Sequence, residues 1–491
     1  MPGADYSPPG SLAGHPLDRL GLGAVLELVP PSLVDAVIAD CGRQQQRIRA
    51  LPARVTLYFV LALWLRPQAG YREVLEMLYA QLRRGDHGSR QFTPSVAAAV
   101  QARRRLGREP LKALFRALRG AHAAPEAPGM SMFGYQLALL KVSLDGTRLD
   151  VADTPANRRA FGAPPSGRYG SGRYPQIRVL TVIACGTRAI LDAVWGPWST
   201  GELPLLDKLV RGGAIRGGML VLADRYFTGH PQVSSIVACG AHLVFRTSVR
   251  RVLAPVAELP DGSYLSVLPG PVYSRKDDWR RPAAERAARL GLRKRRERGI
   301  RVRVVEATIT VTPEHGEPRT EHYRLITTLL DPAQAPAEQI ALLYAERWES
   351  ETGYAELKTY LRGRHGVLRS KDPNGIAQEP YALLIVYQIV QIARAKASLD
   401  QPGHPVVDPD RVSFTATLRA LIRTIGSTEP VRLLLRDALE EVRRQPLLTR
   451  RSRTKPRELK GTVALALASA RNPPGKATYS LTLRPPAAEP A

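Results

Sequence analysis

The sequence predicts an α/β protein whose core is interrupted by a β-rich insertion and preceded by an all-helical N-terminal domain. Up to about residue 123 the apolar residues recur with the spacing of amphipathic helices. From about residue 131, short β-branched and aromatic runs alternate with helical patterns, as in an α/β core. Between residues 248 and 326 this alternation stops and strand-like runs dominate, which indicates an insertion.

The charge balance indicates a polyanionic partner. The chain has 491 residues, with 71 Lys and Arg against 44 Asp and Glu, and its net charge is +27. Nucleic acid is the simplest partner for so much positive charge. A hydrophobic content of 44% is typical of globular proteins and excludes a chain that is disordered throughout.

Two further features predict a cytoplasmic protein without a membrane partner. The longest apolar run, residues 55–65, is shorter than the roughly 20 residues that span a bilayer, and the N-terminus lacks a signal-peptide pattern. The three cysteines, Cys41, Cys185 and Cys239, are far apart and have no metal-ligand spacing.

The N-terminal part divides into a loose segment and a helical domain. Residues 1–16 are rich in Pro, Gly and Ser and are predicted to be disordered. Residues 17–123 are predicted to form a helical DNA-binding domain, with helices that include residues 55–65 and 96–106. A group of arginines near the second of these could face DNA or simply solvent: Arg103, Arg104, Arg105 and Arg108.

Residues 131–247 form the first part of the predicted core, and residues 327–425 form the second. The predicted order in the first part is three strands, a helix, a strand, a helix and a strand, which is the order of an RNase H-like domain. The strands are expected at residues 137–144, 177–184, 188–194, 219–223 and 242–246, and the helices at residues 203–210 and 233–238.

The remaining segments are the insertion, residues 248–326, and a basic C-terminal region with a disordered tail, residues 426–491. Within the insertion, residues 275–303 carry thirteen Lys and Arg against four Asp and Glu. Such a run is usually solvated or disordered, but in a chain this basic it could equally bind a DNA backbone.

Two aspartates are predicted to follow strands of the core. Asp145 precedes Gly-Thr, and Asp224 lies in the run Leu-Ala-Asp-Arg-Tyr-Phe. A carboxylate at the end of a strand is held rigidly by the sheet, which suits a metal ligand. Either aspartate taken alone could instead be an ordinary turn residue.

A helix is predicted after Pro336, and four of its polar residues fall on one narrow stripe. At about 100° per residue, Tyr344, Arg347, Glu351 and Lys358 lie within one face, whereas Glu356 points away from it. The simplest interpretation is a solvated face with an ion pair between Arg347 and Glu351, four residues apart.

The order and spacing of these residues carry a resemblance to a known family. The pattern Tyr-x2-Arg-x3-Glu-x6-Lys, with the two aspartates upstream, resembles the signature of the DDE transposases of the insertion-sequence-four family. The resemblance covers about residues 20–393. It implies that Asp145, Asp224 and Glu351 are the catalytic, metal-binding carboxylates. It also implies that Tyr344, Arg347 and Lys358 bind the DNA of the transposon end.

The resemblance further implies a reaction and its partners. The expected cofactor is Mg²⁺ (or Mn²⁺), as two ions, and the expected partners are the element's terminal inverted repeats and target double-stranded DNA. A homodimer in the synaptic complex and nucleoid association in a prokaryote are implied as well. Relatives hold a flipped base with an aromatic of the insertion, for which Trp279 and Tyr323 are candidates. Tyr226 departs from the small residue found in many relatives.

Two alternatives remain open from the sequence. One is a catalytically inactive, transposase-derived DNA-binding protein, and the other is an RNase H-like nuclease that cuts without joining. The presence of all three carboxylates argues against the first. The helical N-terminal domain and the complete Tyr-Arg-Glu-Lys set argue against the second.

Overall fold

A computed structural model describes most of the chain, and the described residues divide into two compact units. Unit 1 comprises Met1–Met130, Gly146–Leu205 and Ser350–Leu448, and unit 2 comprises Ser131–Asp145, Leu206–Glu349 and Thr449–Ala491. The described residues are 20–45, 51–84, 93–120, 122, 132–134, 137–165, 174–270, 299–313, 317–363, 366–399, 406–444, 446–447 and 477–483.

Helices dominate unit 1. The first seven are α1 (Val25–Leu28), α2 (Pro31–Asp40), α3 (Ala53–Leu65), α4 (Tyr71–Arg84), α5 (Val96–Leu106), α6 (Glu109–Leu118) and α7 (Pro155–Phe161). The helices expected at residues 55–65 and 96–106 are therefore present as α3 and α5. The sequence analysis missed α6.

The core of unit 1 forms around two central helices. All thirteen residues of α3 are buried, because this helix is apolar on every side and must be surrounded by other elements. The second central helix is α13 (Glu379–Ser398), which is also largely buried. The C-terminal helices of the described chain are α12 (Pro373–Ile376), α13 (Glu379–Ser398), α14 (Phe414–Arg423) and α15 (Val431–Arg443).

Arg103 corrects one expectation about the N-terminal arginines. Its side chain is buried and pairs with Glu379 across 3.8 Å, and its guanidinium donates to the side chain of Gln378 and to the carbonyl of Gly375. It therefore holds unit 1 together and does not face DNA. Arg104 and Arg105 are exposed, as expected for that face.

The strands form a mixed sheet. They are β1 (Met132–Phe133), β2 (Leu139–Asp150), β3 (Gln176–Ala184), β4 (Ile190–Pro197), β5 (Met219–Ala223), β6 (His242–Arg246), β7 (Ala257–Glu258), β8 (Tyr264–Leu268), β9 (Ile300–Pro313), β10 (Arg319–Thr327) and β11 (Ala477–Leu483). In unit 1 the order is β4-β3-β2, and in unit 2 it is β2-β5-β6-β10-β9-β8-β7. β2 runs from one unit into the other.

The strands nearest the two aspartates pair in parallel. β2 pairs with β5 and β5 pairs with β6, both in parallel, whereas β3 and β4 form an antiparallel hairpin. Long connections join the parallel strands, as such pairs require, and the one from β2 to β5 also includes the hairpin of β3 and β4. They contain α8 (Glu202–Arg211) and α9 (His230–Ala238).

The insertion is β-rich as expected, and one of its strands extends the sheet of unit 2. β10 pairs antiparallel with β6, and β9 is a strand of 14 residues. β11 pairs antiparallel with β9. The expectation of a wholly disordered tail was therefore wrong for Ala477–Leu483. Alternating Thr and apolar residues in this segment suit a strand at an edge.

Arg303, the last residue of the basic run 275–303, is neither solvated nor available to DNA, contrary to the interpretation from sequence. Its side chain is completely buried, donates to Ser263 Oγ at 2.7 Å and to the carbonyl of Ala335 at 2.6 Å, and pairs with Asp261. Asp261 also accepts a hydrogen bond from the backbone amide of Ala337, where the next helix begins. Most of the basic run, including Trp279, lies outside the described residues.

None of the helices in the described part of the chain is long and apolar enough to cross a membrane.

Arg303→Met should destabilise unit 2 by about 3 kcal/mol, because the substitution leaves the partly buried Asp261 without its counter-charge. Arg301→Met is the matched control, since Arg301 is exposed on the same strand. Urea unfolding measures both. Equal stability of the two variants would show that the buried pair contributes nothing.

Asp261 should make unit 2 sensitive to acid. Burial acts to raise the pKa of Asp261, but hydrogen bonds from Ser263 and Ala337 and the charge of Arg303 outweigh it, and the pKa is lowered. The stability that Asp261 contributes is present above its unfolded pKa of about 3.9 and is lost as the pH falls below that value. Urea midpoints at about pH 6 and about pH 3 should therefore differ less in Asp261→Asn than in the wild type.

Candidate active site

Asp145 lies in β2 and Asp224 directly follows β5, the adjacent parallel strand of unit 2. The ladder between β2 and β5 pairs Ser143 with Leu222; Asp145 comes two residues after Ser143 within β2, and Asp224 comes two residues after Leu222, just beyond the end of β5. Neighbouring strands are about 4.8 Å apart, so the register sets the two backbones next to each other at one edge of the ladder. This register supports the expectation that the two carboxylates share one end of the ladder, and their convergence on a metal stays a prediction.

The strand that carries Asp145 is longer than expected. β2 continues to Asp150, so Asp145 is inside the strand and not at its end. The following Asp-Gly-Thr is therefore extended and not a turn. The small size of Gly146 matters locally, because a Cβ at this position would lie 2.7 Å from the carboxylate of Glu202 and would displace that side chain.

Asp224 caps the turn that follows β5. Its Oδ1 accepts a hydrogen bond from the backbone amide of Tyr226 at 2.8 Å and begins a short 3₁₀ helix, Arg225–Phe227. Phe227 is buried under this turn, and the ring of Tyr226 is exposed. The large residue at position 226 therefore points to solvent and does not disturb the carboxylate.

The helix predicted after Pro336 is helical throughout but not one regular α-helix. It consists of α10 (Ala337–Tyr344), a 3₁₀ turn (Ala345–Arg347), α11 (Trp348–Ala355) and a π-helix (Glu356–Leu361). We call this succession the signature segment. The stripe drawn at 100° per residue was wrong in detail, because 3₁₀ and π turns advance by different angles.

Tyr344 is buried, with 4% of its surface exposed, and its hydroxyl donates to the carbonyl of Ala223 at 3.3 Å. Burial raises the pKa of Tyr344 to about 12. Ala223 immediately precedes Asp224, so the structure gives this tyrosine a contact with the strand that carries an aspartate.

Arg347 lies next to Asp145. Its Nη1 is 4.0 Å from Asp145 Oδ2, and its guanidinium lies over the ring of Trp348 at 5.4 Å. The guanidinium and the carboxylate are 12% and 22% exposed, so both face a partly buried space. An ion pair with Glu351 alone, the simplest interpretation of the sequence, therefore does not account for the contacts of the Arg347 side chain.

One face of β2 holds the 3₁₀ turn of the signature segment. Side chains two residues apart on a strand point the same way, so Lys141, Ser143 and Asp145 share this face. Lys141 pairs with Glu346 at 2.6 Å, and Ser143 Oγ donates to the carbonyl of Arg347 at 3.2 Å. Three alternate positions of the strand thus contact two consecutive residues of the turn, Glu346 and Arg347.

Arg246 was missed by the sequence analysis. The parallel ladder pairs Ala223 with Phe245, which puts Arg246 beside Asp224. Its guanidinium lies 4.5 Å from the ring centre of Tyr323, which in turn contacts the ring of Tyr344. Arg246 could be recognised only from the register of β5 and β6. That register depends on which strands pair, and residue spacing in the sequence does not reveal it.

Glu351 and Lys358 belong to unit 1. Glu351 lies in α11 and Lys358 in the π-helix, and each is half-buried. Their approach to the two aspartates of unit 2 stays a prediction.

The donor set of the candidate site suits a hard divalent cation. Carboxylate oxygens are the ligands that Mg²⁺ and Mn²⁺ prefer, and two of them are adjacent in register. Across the described residues, no group of three or more His, Cys, Asp and Glu side chains is arranged to hold a metal ion. The positive charge found beside Asp145 is that of Arg347.

The chain is similar to known transposases over most of its length. It is 25% identical over 455 residues to transposase InsG for insertion sequence element IS4 of Escherichia coli (strain K12), across 91% of this chain and 92% of that protein. It is 26% identical over 131 residues to the putative transposase InsZ of the same strain, across 27% of this chain and 42% of that protein. Its structure resembles a piggyBac transposase synaptic complex with hairpin DNA, at a TM-score of 0.37 and 12% identity, across 90% of this chain and 85% of that chain.

Two family models match separate parts of the chain. Residues 19–116 match the insertion element 4 transposase N-terminal region, and residues 139–389 match the transposase DDE domain, which alone is just over half of the chain. The second match contains both aspartates and the whole signature segment. The chain therefore belongs to the insertion-sequence-four family of DDE transposases, enzymes that cleave and transfer DNA.

Proposed function

We propose that this transposase binds the terminal repeats of an insertion sequence, cleaves phosphodiester bonds at its ends and joins the 3′-hydroxyl ends to target DNA. The observation that carries the proposal is the pair Asp145 and Asp224, adjacent in register, with the guanidinium of Arg347 4.0 Å from one of them. A carboxylate pair with a neighbouring cation can hold divalent ions and a phosphate at one place.

We propose an RNase H-like fold for the core. The order β4-β3-β2 in unit 1 and β2-β5-β6 in unit 2, with an antiparallel hairpin followed by parallel strands, supports it. The insertion follows β6, and its last strand, β10, returns beside β6. We propose that residues 17–123 are the DNA-binding domain, with the exposed Arg104 and Arg105 among its cations.

The proposed cofactor is Mg²⁺ or Mn²⁺, as two ions held by Asp145, Asp224 and Glu351. When bound, such ions stabilise the negative charge on the attacking and leaving oxygens of an in-line displacement at phosphorus. The protein's own part is positioning. The ladder of β2 and β5 fixes the two aspartates, and the bond from Tyr344 to Ala223 holds the end of β5.

Arg347 and Lys358 are proposed to bind phosphate groups of the transposon end. The backbone carbonyl of Arg347 accepts a hydrogen bond from Ser143 Oγ, and its guanidinium lies over the ring of Trp348. The first contact fixes the backbone and the second orients the guanidinium. A pre-oriented guanidinium loses less entropy on binding a phosphate. Tyr344 supports a DNA contact less directly, because its hydroxyl donates to Ala223 and would have to change partner.

The proposed partners are the element's terminal inverted repeats and target double-stranded DNA, with a homodimer in the synaptic complex. The net charge of +27 and the family membership support DNA as the partner. Association with the nucleoid in a prokaryote follows from the same partner.

Asp224→Asn should abolish cleavage of a labelled terminal-repeat DNA while leaving the affinity for that DNA nearly unchanged. The amide keeps the shape of the side chain and loses the charge that would hold the cation. Asp207→Asn is the matched control, because Asp207 is exposed on α8. A gel with Mg²⁺ that resolves cleaved and joined products makes the measurement.

The same gel distinguishes the alternatives. Cleavage without joined product by the wild type would favour a nuclease, and binding without cleavage would favour an inactive DNA-binding protein. Cleavage by Asp224→Asn would show that another carboxylate holds the cation.

Arg347→Ala and Lys358→Ala should each reduce the slope of log affinity for end DNA against log salt by about one unit, because each removes one phosphate contact. Arg423→Ala is the control: Arg423 is exposed and paired with Glu441, so its loss should leave the slope unchanged. Melting curves accompany each variant. Unchanged slopes with lowered melting temperatures would assign Arg347 and Lys358 to structural pairing only.

A further inference from the structure

The stretch that follows Glu351 is anchored to unit 1 at closely spaced positions. At Gly353 a Cβ would lie 3.0 Å from the hydroxyl of Tyr387 in α13, closer than most real Cβ contacts, so a larger residue here would force a small shift. The hydroxyl of the next residue, Tyr354, is 2.7 Å from that of Thr181 in β3, and both are buried. The backbone of α11 is thus seated on β3 and α13.

Glu356 provides the third anchor and is the most densely bonded. Its Oε1 accepts from Arg188 Nη1 at 2.8 Å and lies 3.6 Å from Arg394 Nη1. Its Oε2 accepts from Gln391 at 3.0 Å and from the hydroxyl of Tyr387 at 3.3 Å. Sequence periodicity placed this residue away from the functional stripe, and the structure places it inside the protein.

The surrounding charges balance in a dry interior. Arg188 also pairs with Asp410, so two guanidiniums face two carboxylates, and all four side chains are at most 7% exposed. Arg394 is fixed further by the carbonyls of Val412 and Pro409. Because these charges compensate one another, removing one of them leaves a buried partner without its counter-charge.

Arg188 takes an unfavourable backbone conformation to enter this network. Its φ is +58°, in the left-handed region that residues with a Cβ rarely occupy. Its guanidinium nevertheless reaches both Glu356 and Asp410. Such strain persists where the surroundings fix the residue firmly.

The π-helix begins at Glu356 and contains Lys358. π-turns are rare and occur frequently at functional sites, where the extra residue per turn redirects the side chains that follow. Glu356 therefore stands where α11, which carries Glu351, changes into the segment that carries Lys358.

We propose that Glu356 is a positioning residue that fixes the orientation of Glu351 and of Lys358 through the buried network of Arg188, Arg394 and Asp410. The inference rests on the proposed function, since it assigns Glu356 to the cleavage of end DNA. Displacements of about 1 Å at a catalytic group lower rates steeply, so a residue that holds the backbone between two functional side chains affects the reaction without touching DNA.

The test compares Glu356→Gln with Glu379→Gln. Glu379 is equally buried and also faces a buried arginine, Arg103, but its hydrogen bonds go to Arg369 and Ser370. Both variants lose one buried negative charge, and both should melt at lower temperature than the wild type. The readouts, taken well below both melting temperatures, are the single-turnover cleavage rate at saturating end DNA and the salt dependence of end-DNA affinity.

Glu356→Gln should cleave at least about tenfold more slowly than Glu379→Gln, and its salt slope should fall by about one unit through loss of the Lys358 contact. Glu379→Gln should keep the wild-type slope and cleave within about twofold of the wild-type rate. Equal rates and slopes in the two variants would overturn the proposal, because loss of a buried charge would then explain everything.

Tyr387→Phe covers the case in which Glu356→Gln does not fold. It removes one hydroxyl from the network and keeps the buried ring. A slower cleavage rate with an unchanged melting temperature supports the positioning role, and a wild-type rate overturns it. Wild-type protein that fails to cleave end DNA would instead overturn the proposed function, and the salt slopes would still decide whether Glu356 positions Lys358.

Discussion

The contact between one face of β2 and the 3₁₀ turn Ala345–Arg347 determines the geometry of the candidate site in unit 2. Lys141, Ser143 and Asp145 project from the same face because strand side chains alternate. The first two hold Glu346 and the carbonyl of Arg347, and the third meets the Arg347 side chain. A shift of one residue in the register of β2 would turn all three away at once. The parallel ladder with β5 opposes such a shift, because its hydrogen bonds hold β2 in one register.

The excess of arginine serves two purposes that composition cannot separate. Arg103, Arg303 and Arg394 are buried and bonded to carboxylates or carbonyls, so they stabilise the fold. Their charges contribute to the total of +27 without being available to a polyanion. Other arginines of the described chain, such as Arg104 and Arg105, are exposed and can meet a polyanion, so the inference of a nucleic-acid partner still stands. A map of DNA contacts drawn from arginine positions alone would nevertheless include several residues of the protein interior.

The strands and helices of the core could be predicted from sequence where local pattern decides the structure. The apolar runs that became β5 and α3 were recognised because a fully buried strand or helix is apolar on all sides. Asp224 was placed correctly because the run ends at it. Asp145 was placed too near a strand end, because Asp-Gly usually signals a turn. Here the close approach of Glu202 to Gly146 explains the glycine, and that contact joins residues 56 positions apart.

The site residues that sequence reasoning missed owe their positions to pairing or to irregular backbone. Arg246 adjoins Asp224 only through the register of two strands that are separated by α9. Glu356 lies off the predicted stripe, and only its packing against Arg188, Arg394 and Tyr387 at the start of the π-helix shows that it enters a buried network. Both cases follow one physical rule: periodicity describes a single regular element, whereas function here depends on where elements change or meet. The irregular backbone of the signature segment is accordingly part of what the sequence specifies. A projection of a straight α-helix through residues 337–361 separates Glu356 from the four signature side chains, but it cannot show that Arg188, Arg394 and Tyr387 surround that carboxylate, because those contacts come from other elements.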